Sequence, residues 1–311
     1  MYESYLKKSS ESFFRKLKNP ISHSWIHVHN ATINDVLSIA QILNIDPEDI
    51  KDSLDMLELA RIEKIDQGIF VLYVRFPHMQ EVGVYGVYTV PLTIILSEKY
   101  LVTICPATCH IIEKILTEKN DLATNLQIQL LIFILFRIVQ EYTKVLRTIR
   151  ASILTQEKDM RTLTDKEIIA LTQKEENLSQ CLHALQLLRE EVIEGILSGK
   201  YEVLNEKERD LFEDLFLSIE QAEEMCHLNL RIISSLRNSV QIIITNQFNE
   251  TIRFLTALTI IVNIPGIISS IYGMNVHLPL TSNTFAFWVI MGFIVGISSF
   301  AYFFFKRKKW L

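Results

Sequence analysis

The residues with the most unusual chemistry in this 311-residue chain lie near its C-terminal end. There Asn249, Ile252, Leu255, Thr259, Asn263, Gly266 and Ser270 recur at spacings of three and four, which is one face of a helix. Most of that face falls in the uncharged stretch from Phe254 to Ile271, close to the roughly 20 residues that cross a ~30 Å hydrocarbon core. A helix facing only lipid would carry Thr256, Thr259, Asn263, Pro265 and Ser270 at a cost, so these side chains should face protein or water. Two uses fit. Small and polar side chains can join transmembrane helices, or the face can line a narrow, neutral pore with an apolar constriction at Ile252 and Leu255 that gates by dewetting. The face ends at Tyr272-Gly273-Met274-Asn275.

Such a face needs a membrane and a scaffold. A second apolar run, Phe285 to Phe305, is the cleaner span. Arg253 precedes the first span and Lys306-Arg307-Lys308-Lys309 follows the second, while the connection from Tyr272 to Thr284 has no charged residue. The positive-inside rule therefore places both termini in the cytoplasm of a multi-pass protein of the cell (inner) membrane, with the short connection outside. Leu130 to Ile138 is apolar but too short, contains Arg137 and runs into Glu141 and Lys144, so it reads as a buried helix of the soluble part. The N-terminus lacks the apolar core and cleavage site of a signal peptide.

The scaffold reads as two kinds of structure. Up to about residue 116, short β-like runs (Trp25 to Val28, Ile69 to Phe76, Val84 to Pro91, Tyr100 to Ile104) mix with helical stretches, and Asp46-Pro47-Glu48-Asp49 opens a helix: an α/β domain. Beyond it the spacing predicts helices from about Asp121 to Asp159, from the Thr164-x-x-Glu167 capping box, and from Asn205 with Glu208 three residues on, with Gly195 and Gly199 marking the break before the last. Nothing stops the last helix before Pro265 and Gly266, so it should run through the first span to Tyr272, on the order of 100 Å. Its cytosolic part carries a seam at 4,3,4,3 spacing: Leu215, Ile219, Ala222, Cys226, Asn229, Ile233, Leu236, Val240 and Ile243. The seam packs either on the chain's own two preceding helices or around a symmetry axis, and the same face is expected to continue into the stripe at Asn249. The expected ranges are 1–116 for the α/β domain, 117–250 for the helical stalk, 251–272 and 285–305 for the spans, 273–284 for the outer loop and 306–311 for the basic tail.

Gly-Met-Asn after a tyrosine, closing the first of two C-terminal spans, is the signature of the CorA-type magnesium transporter family, and the chain resembles that family. The likeness extends to Asn246-x-x-Asn249-Glu250-x-x-Arg253-x-Leu255-Thr256, to Ile264-Pro265-Gly266, to the basic tail and, more loosely, to Trp25-Ile26, Phe70-Val71-Leu72 and Leu101-Val102-Thr103. It implies an α+β membrane protein assembled as a funnel-shaped homopentamer, with first spans around a pore and Gly273, Met274 and Asn275 as the selectivity filter at its outer mouth. That arrangement favours the axis for the seam. It implies passive, potential-driven uptake of Mg2+, with Co2+ or Ni2+ as further permeants, and closure by cytoplasmic Mg2+ through acidic residues between subunits. Asp214 and Glu224 match such positions. Mg2+ gives up its waters reluctantly, so neutral carboxamide oxygens can hold it through its first shell. The chain departs from many relatives in its uncharged Val276-His277-Leu278-Pro279-Leu280 and in the polar Asn263.

Composition excludes other classes. A formal charge of −5 and a pI near 5.9 leave no basic face for nucleic acid. Four scattered cysteines read as free thiols rather than a disulfide framework. His27 and His29 share a strand face and could bind metal, but an exposed or core-satisfied pair is the simpler reading, and Cys105-x-x-x-Cys109 matches no zinc spacing. No catalytic arrangement or phosphate-binding Gly-Lys loop stands out, so an enzyme is not expected. The alternatives are a zinc transporter of the same family and a two-span signalling or tether protein.

Overall fold

In a computed structural model the described residues are 2–65, 68–79, 86–119, 122–157, 165–199, 204–276, 278–279 and 285–311. They form two compact units, residues 1–236 and 237–311.

The first unit is built on a seven-stranded sheet: β1 (Tyr2–Leu6), β2 (Arg15–Leu17), β3 (Ser24–Val28), β4 (Arg61–Ile65), β5 (Ile69–Met79), β6 (Val87–Leu96) and β7 (Tyr100–Ile104), in the order β2-β1-β3-β7-β6-β5-β4. Only β3 and β7 run parallel; the other neighbours are antiparallel. Both faces are covered, so the central strands are apolar on both sides. Ile26, Val71, Ile95 and Val102 join one core with Val36, Ile39 and Ala40 of helix α1 (Ile33–Leu43) and Ile50 of the turn of 3-10 helix at Pro47–Leu54. Their alternates Trp25, Leu72, Ile94 and Leu101 join a second core with the long helices.

Those helices are α2 (His110–Thr117), α3 (Gln127–Glu157), α4 (Asp165–Leu187), a π-helical segment at Leu188–Ile193, the short α5 (Glu194–Leu197) and α6 (Glu206–Tyr272). Leu130, Leu131, Ile134, Leu135 and Ile138 are all buried, as expected of a helix of the soluble part. The helix predicted from about Asp121 begins instead at Gln127, and Thr164 of its neighbour's capping box lies outside the described residues. Of the two glycines read as a break, Gly195 sits inside α5. The chain turns at Gly199, whose φ of +73° favours glycine. The turn at Asp46 is 3-10 rather than α, with the Asp46 carboxylate accepting from the Glu48 N–H at 3.0 Å.

Strand β6 runs past Pro91, where the sequence reading stopped it. Pro91 pairs with Arg75 of β5, and it lies before Thr93, where pairing with β7 begins. A proline is tolerated there because no N–H is needed on that side. All four cysteines are buried free thiols.

His27 is buried in this unit, with Nδ1 2.9 Å from the Thr103 hydroxyl, and burial pushes its pKa down to about 4. It is neutral at pH 7 in both folded and unfolded chains. As pH falls below about 6.5 the unfolded chain takes up the proton first, so stability is lost between about pH 6.5 and pH 4, by about 3 kcal/mol in all. Hydrogen exchange of the β3 amides in the detergent-solubilised chain should show this loss, and His27→Phe should flatten it.

The second unit holds the remainder of α6 and helix α7 (Ala286–Arg307). Among the described residues these are the two helices long and apolar enough to cross a membrane.

Candidate functional site

Helix α6 is set up by its first turn. The Asn205 carboxamide accepts from the Glu208 N–H at 2.9 Å and the Glu208 carboxylate accepts from the Asn205 N–H at 3.2 Å, a reciprocal cap. From there it continues for 67 residues to Tyr272, as the absence of turn signals implied.

The seam serves a different purpose from the one the family resemblance favoured. Leu215, Ile219, Ala222, Cys226, Ile233 and Leu236 are buried in the core shared with the sheet, α3 and α4, and the Asn229 amide donates to the Leu146 carbonyl of α3 at 3.2 Å. The seam through Leu236 is therefore occupied by the chain's own helices and is not free to pack around an axis. Nor is it the same face as the stripe. Ile243, where the seam ends, is half-buried; Asn249 lies six residues on, about 120° round the helix at about 100° per residue.

Every residue of the stripe, from Asn249 to Ser270, is exposed. Ile252 is 45% and Leu255 55% exposed, so the two side chains of the expected constriction lie on the surface of the described residues. The covered side of this part of α6 is Ala257, Ile261, Ile264, Pro265, Ile268 and Tyr272. Ile268, Ile271 and Tyr272 line a cleft of about 490 Å3 with Val289, Ile290 and Phe293 of α7. At about 100° per residue, the centre of the stripe lies about 180° from the centre of the covered side. The helix is therefore amphipathic in an unusual sense, apolar toward α7 and oxygen-bearing away from it.

The two threonine hydroxyls between Phe254 and Ile271 are oriented by the helix itself. Thr259 donates its proton to the Leu255 carbonyl at 2.8 Å, and Thr256 donates to Ile252 at 2.8 Å. With the proton committed, the Thr259 oxygen presents lone pairs outward, as a cation or its water requires. Sequence pattern located the threonine but not this polarity, which only the i to i−4 geometry supplies.

The helix ends where the signature begins. The Gly273 N–H donates to the Ser269 carbonyl at 2.9 Å and the Met274 N–H to the Ile271 carbonyl at 3.2 Å. A Cβ on Gly273 would stand 3.3 Å from the Ser269 oxygen, so even alanine would press on this last turn. Asn275 follows with an exposed carboxamide. The C-terminal end of a helix carries partial negative charge, which favours a cation beside Asn275 without any carboxylate. Residue types alone do not reveal this end of the helix backbone. His277 and residues 280–284 lie outside the described residues.

The acidic pair is not brought together. Asp214 is exposed, and its carbonyl accepts from the Ser218 hydroxyl at 2.9 Å. Glu224 is exposed and pairs with Arg231 at 2.8 Å, both on the surface, where such a bridge is worth little. Ten residues of helix separate the two carboxylates by about 15 Å. Among the described residues no three His, Cys, Asp or Glu side chains of one chain converge on a metal position. The His27 and His29 rings lie 6.0 Å apart, with His27 satisfied on one side by Thr103.

A family model described as CorA-like Mg2+ transporter protein matches residues 22–307. The cobalt/magnesium transport protein CorA of Methanocaldococcus jannaschii is 24% identical over 294 residues, 92% of this chain and 91% of the relative. The complete structure of the CorA magnesium transporter from that organism superposes with a TM-score of 0.82 at 20% identity, covering 100% of this chain and 99% of the other. The cytoplasmic domain of ZntB from Vibrio parahaemolyticus gives 0.61 at 12% identity, covering 77% and 96%. At these identities the structural likeness speaks to fold. The match of the family model over nearly the whole chain, ending in two apolar helices, speaks to kinship: this chain belongs to the CorA-like Mg2+ transporter family, membrane proteins that move divalent cations and are not enzymes.

Proposed function

We propose that five copies of this chain enclose a pore through which hydrated Mg2+ enters the cell down the membrane potential, with Co2+ or Ni2+ as lesser permeants. The observation that carries the reading is the stripe from Asn249 to Ser270, exposed on the side of α6 turned away from α7 and bearing only uncharged hydroxyls and carboxamides as its polar side chains. Around an axis this face would line the pore, and Gly273, Met274 and Asn275 would form its outer mouth. An inside-negative potential favours entry by about 2.3 kcal/mol per charge per 100 mV, about 4.6 kcal/mol for a divalent ion, so no nucleotide is required. The similarity to a cobalt/magnesium transport protein supports this ion choice. So does the chemistry: Zn2+ is held by thiolate and imidazole, and the stripe contains neither. The test is Mg2+ flux into proteoliposomes under an imposed potential; no flux of any divalent cation would return the chain to the tether class.

Regulation follows the same reading. Asp214 would take part in a cytoplasmic Mg2+ site completed by a neighbouring copy, since among the described residues no three ligating side chains of one chain converge on a metal position. Hard, hydrated Mg2+ suits a site of one or two carboxylates and waters. Asp214→Asn should raise the inside Mg2+ concentration needed for half-inhibition by about tenfold, with flux at low inside Mg2+ unchanged, since one charged contact is worth about 1.5 kcal/mol. An unchanged inhibition curve would remove Asp214 from the sensor.

A further inference from the structure

The chain's charge is divided unevenly. Residues 237–311 contain six basic residues (Arg237, Arg253, Lys306, Arg307, Lys308, Lys309) and one acidic residue, Glu250, a balance of +5; the remaining residues carry −10 of the chain's −5 total. Four of the six cations stand consecutively at the end of α7. Among the described residues none of those four is paired with a carboxylate, and no acidic residue occurs from Phe285 to Leu311.

The tail is folded rather than trailing. Lys309 takes a left-handed φ of +56°, and the Trp310 N–H donates to the Phe305 carbonyl at 3.0 Å. The indole then stacks on the Phe305 ring, with centroids 5.4 Å apart and planes 21° apart. The ammonium groups are turned back along the helix: Lys306 lies 5.7 Å from the centre of the Tyr302 ring and Lys308 5.4 Å from that of Phe304. Both rings belong to an exposed aromatic collar that includes Phe303. Aromatic rings and cations at one level mark the boundary between hydrocarbon and headgroups. Two residues of helix separate the two lysines by about 200°, so whichever side of α7 is covered, one of them remains turned to lipid.

We propose that this collar binds the phosphodiester headgroup of anionic phospholipids, with the Lys306 and Lys308 ammoniums, seated on Tyr302 and Phe304, as the groups that recognise it. Trp310 fixes the depth of the tail by clamping it to Phe305. Free phosphate offers similar chemistry, but the exposed collar beneath the cations supplies a surface for acyl chains that a free anion would leave unused.

The test uses the full chain extracted from vesicles of equal parts phosphatidylglycerol and phosphatidylcholine, with co-purified lipid counted by native mass spectrometry. The wild type should retain phosphatidylglycerol preferentially, and Lys306→Gln with Lys308→Gln should lower that preference about 30-fold, the effect of removing two cations from an anionic surface. Both positions are exposed, so the variant should keep its mass and oligomeric state. An undiminished preference in the double variant would overturn the proposal. So would displacement of the lipid by millimolar inorganic phosphate, which would identify a free anion as the ligand. Loss of oligomer with lipid preference intact would assign the cations to carboxylates of a neighbouring copy instead.

Discussion

Asn275→Ala is expected to lower potential-driven Mg2+ flux in proteoliposomes by at least about 30-fold while leaving expression, oligomeric state and thermal stability unchanged. The size follows from what the residue offers. Asn275 stands just past the end of α6 with its carboxamide exposed, so the substitution costs the fold little packing. A hydrogen bond to a charged partner contributes about 1.5 to 3 kcal/mol. Losing about 2 kcal/mol of favourable contact with the ion's first-shell water corresponds to about 30-fold, and the loss is multiplied if several copies share the ion. Asn275→Gln keeps the oxygen on a longer stem and should retain more flux than alanine. Asn275→Leu separates a ligand from a spacer: it keeps the size and loses the oxygen, so a spacer would be restored by it, whereas a ligand would leave it as low as alanine. Flux insensitive to all three residues would take Asn275 out of the ion path.

Much of this was readable in the sequence, and the reasons it failed elsewhere are specific. Strand β7 coincides with the predicted Tyr100–Ile104 because it is apolar on both faces and bounded by polar turns. β6 was cut short at Pro91 because a proline's missing N–H matters only where a neighbouring strand would accept it, and which stretch of β7 lies alongside is tertiary information. The 3.5-residue repeat from Leu215 to Leu236 marks helix packing, but it says that a partner exists and not which one. The structure supplies α3, α4 and the sheet. Spacing alone marks the stripe, yet its separation from the seam lies in the angle that the six residues from Ile243 to Asn249 subtend. The oxygen polarity at Thr259 and the carbonyl end at Ser269 were illegible, since both are properties of backbone geometry rather than of residue type.

The apolar levels Ile252 and Leu255 give the second large effect. They are three residues apart, about 4.5 Å along α6, and both project from the stripe rather than from the side that faces α7. In the proposed pore they are the levels with a bulky apolar side chain, where a column of water is least stable and where modest narrowing would empty it. Leu255→Ser replaces most of the apolar surface at one level with a hydroxyl, which lowers the cost of wetting by about 0.8 kcal/mol for each buried methylene equivalent removed. A barrier lower by only about 1.4 kcal/mol passes ions tenfold faster. The variant should therefore show at least tenfold more residual Mg2+ flux at inhibitory inside Mg2+, with little change at low inside Mg2+, where the level is already wet. Ile260→Ser is the comparison: five residues on, it lies about 140° round the helix from Leu255 and about 85° from the centre of the stripe, and should leave residual flux near wild type. Asp214→Asn raises flux at the same inside concentration by a different route, and the two are separable. Loss of the sensor shifts the inhibition curve and still reaches full closure at higher Mg2+, whereas a wetted constriction leaves a floor that no concentration removes. A leak from Ile260→Ser equal to that from Leu255→Ser would mean that the substituted hydroxyl loosens the helix and that the constriction lies elsewhere.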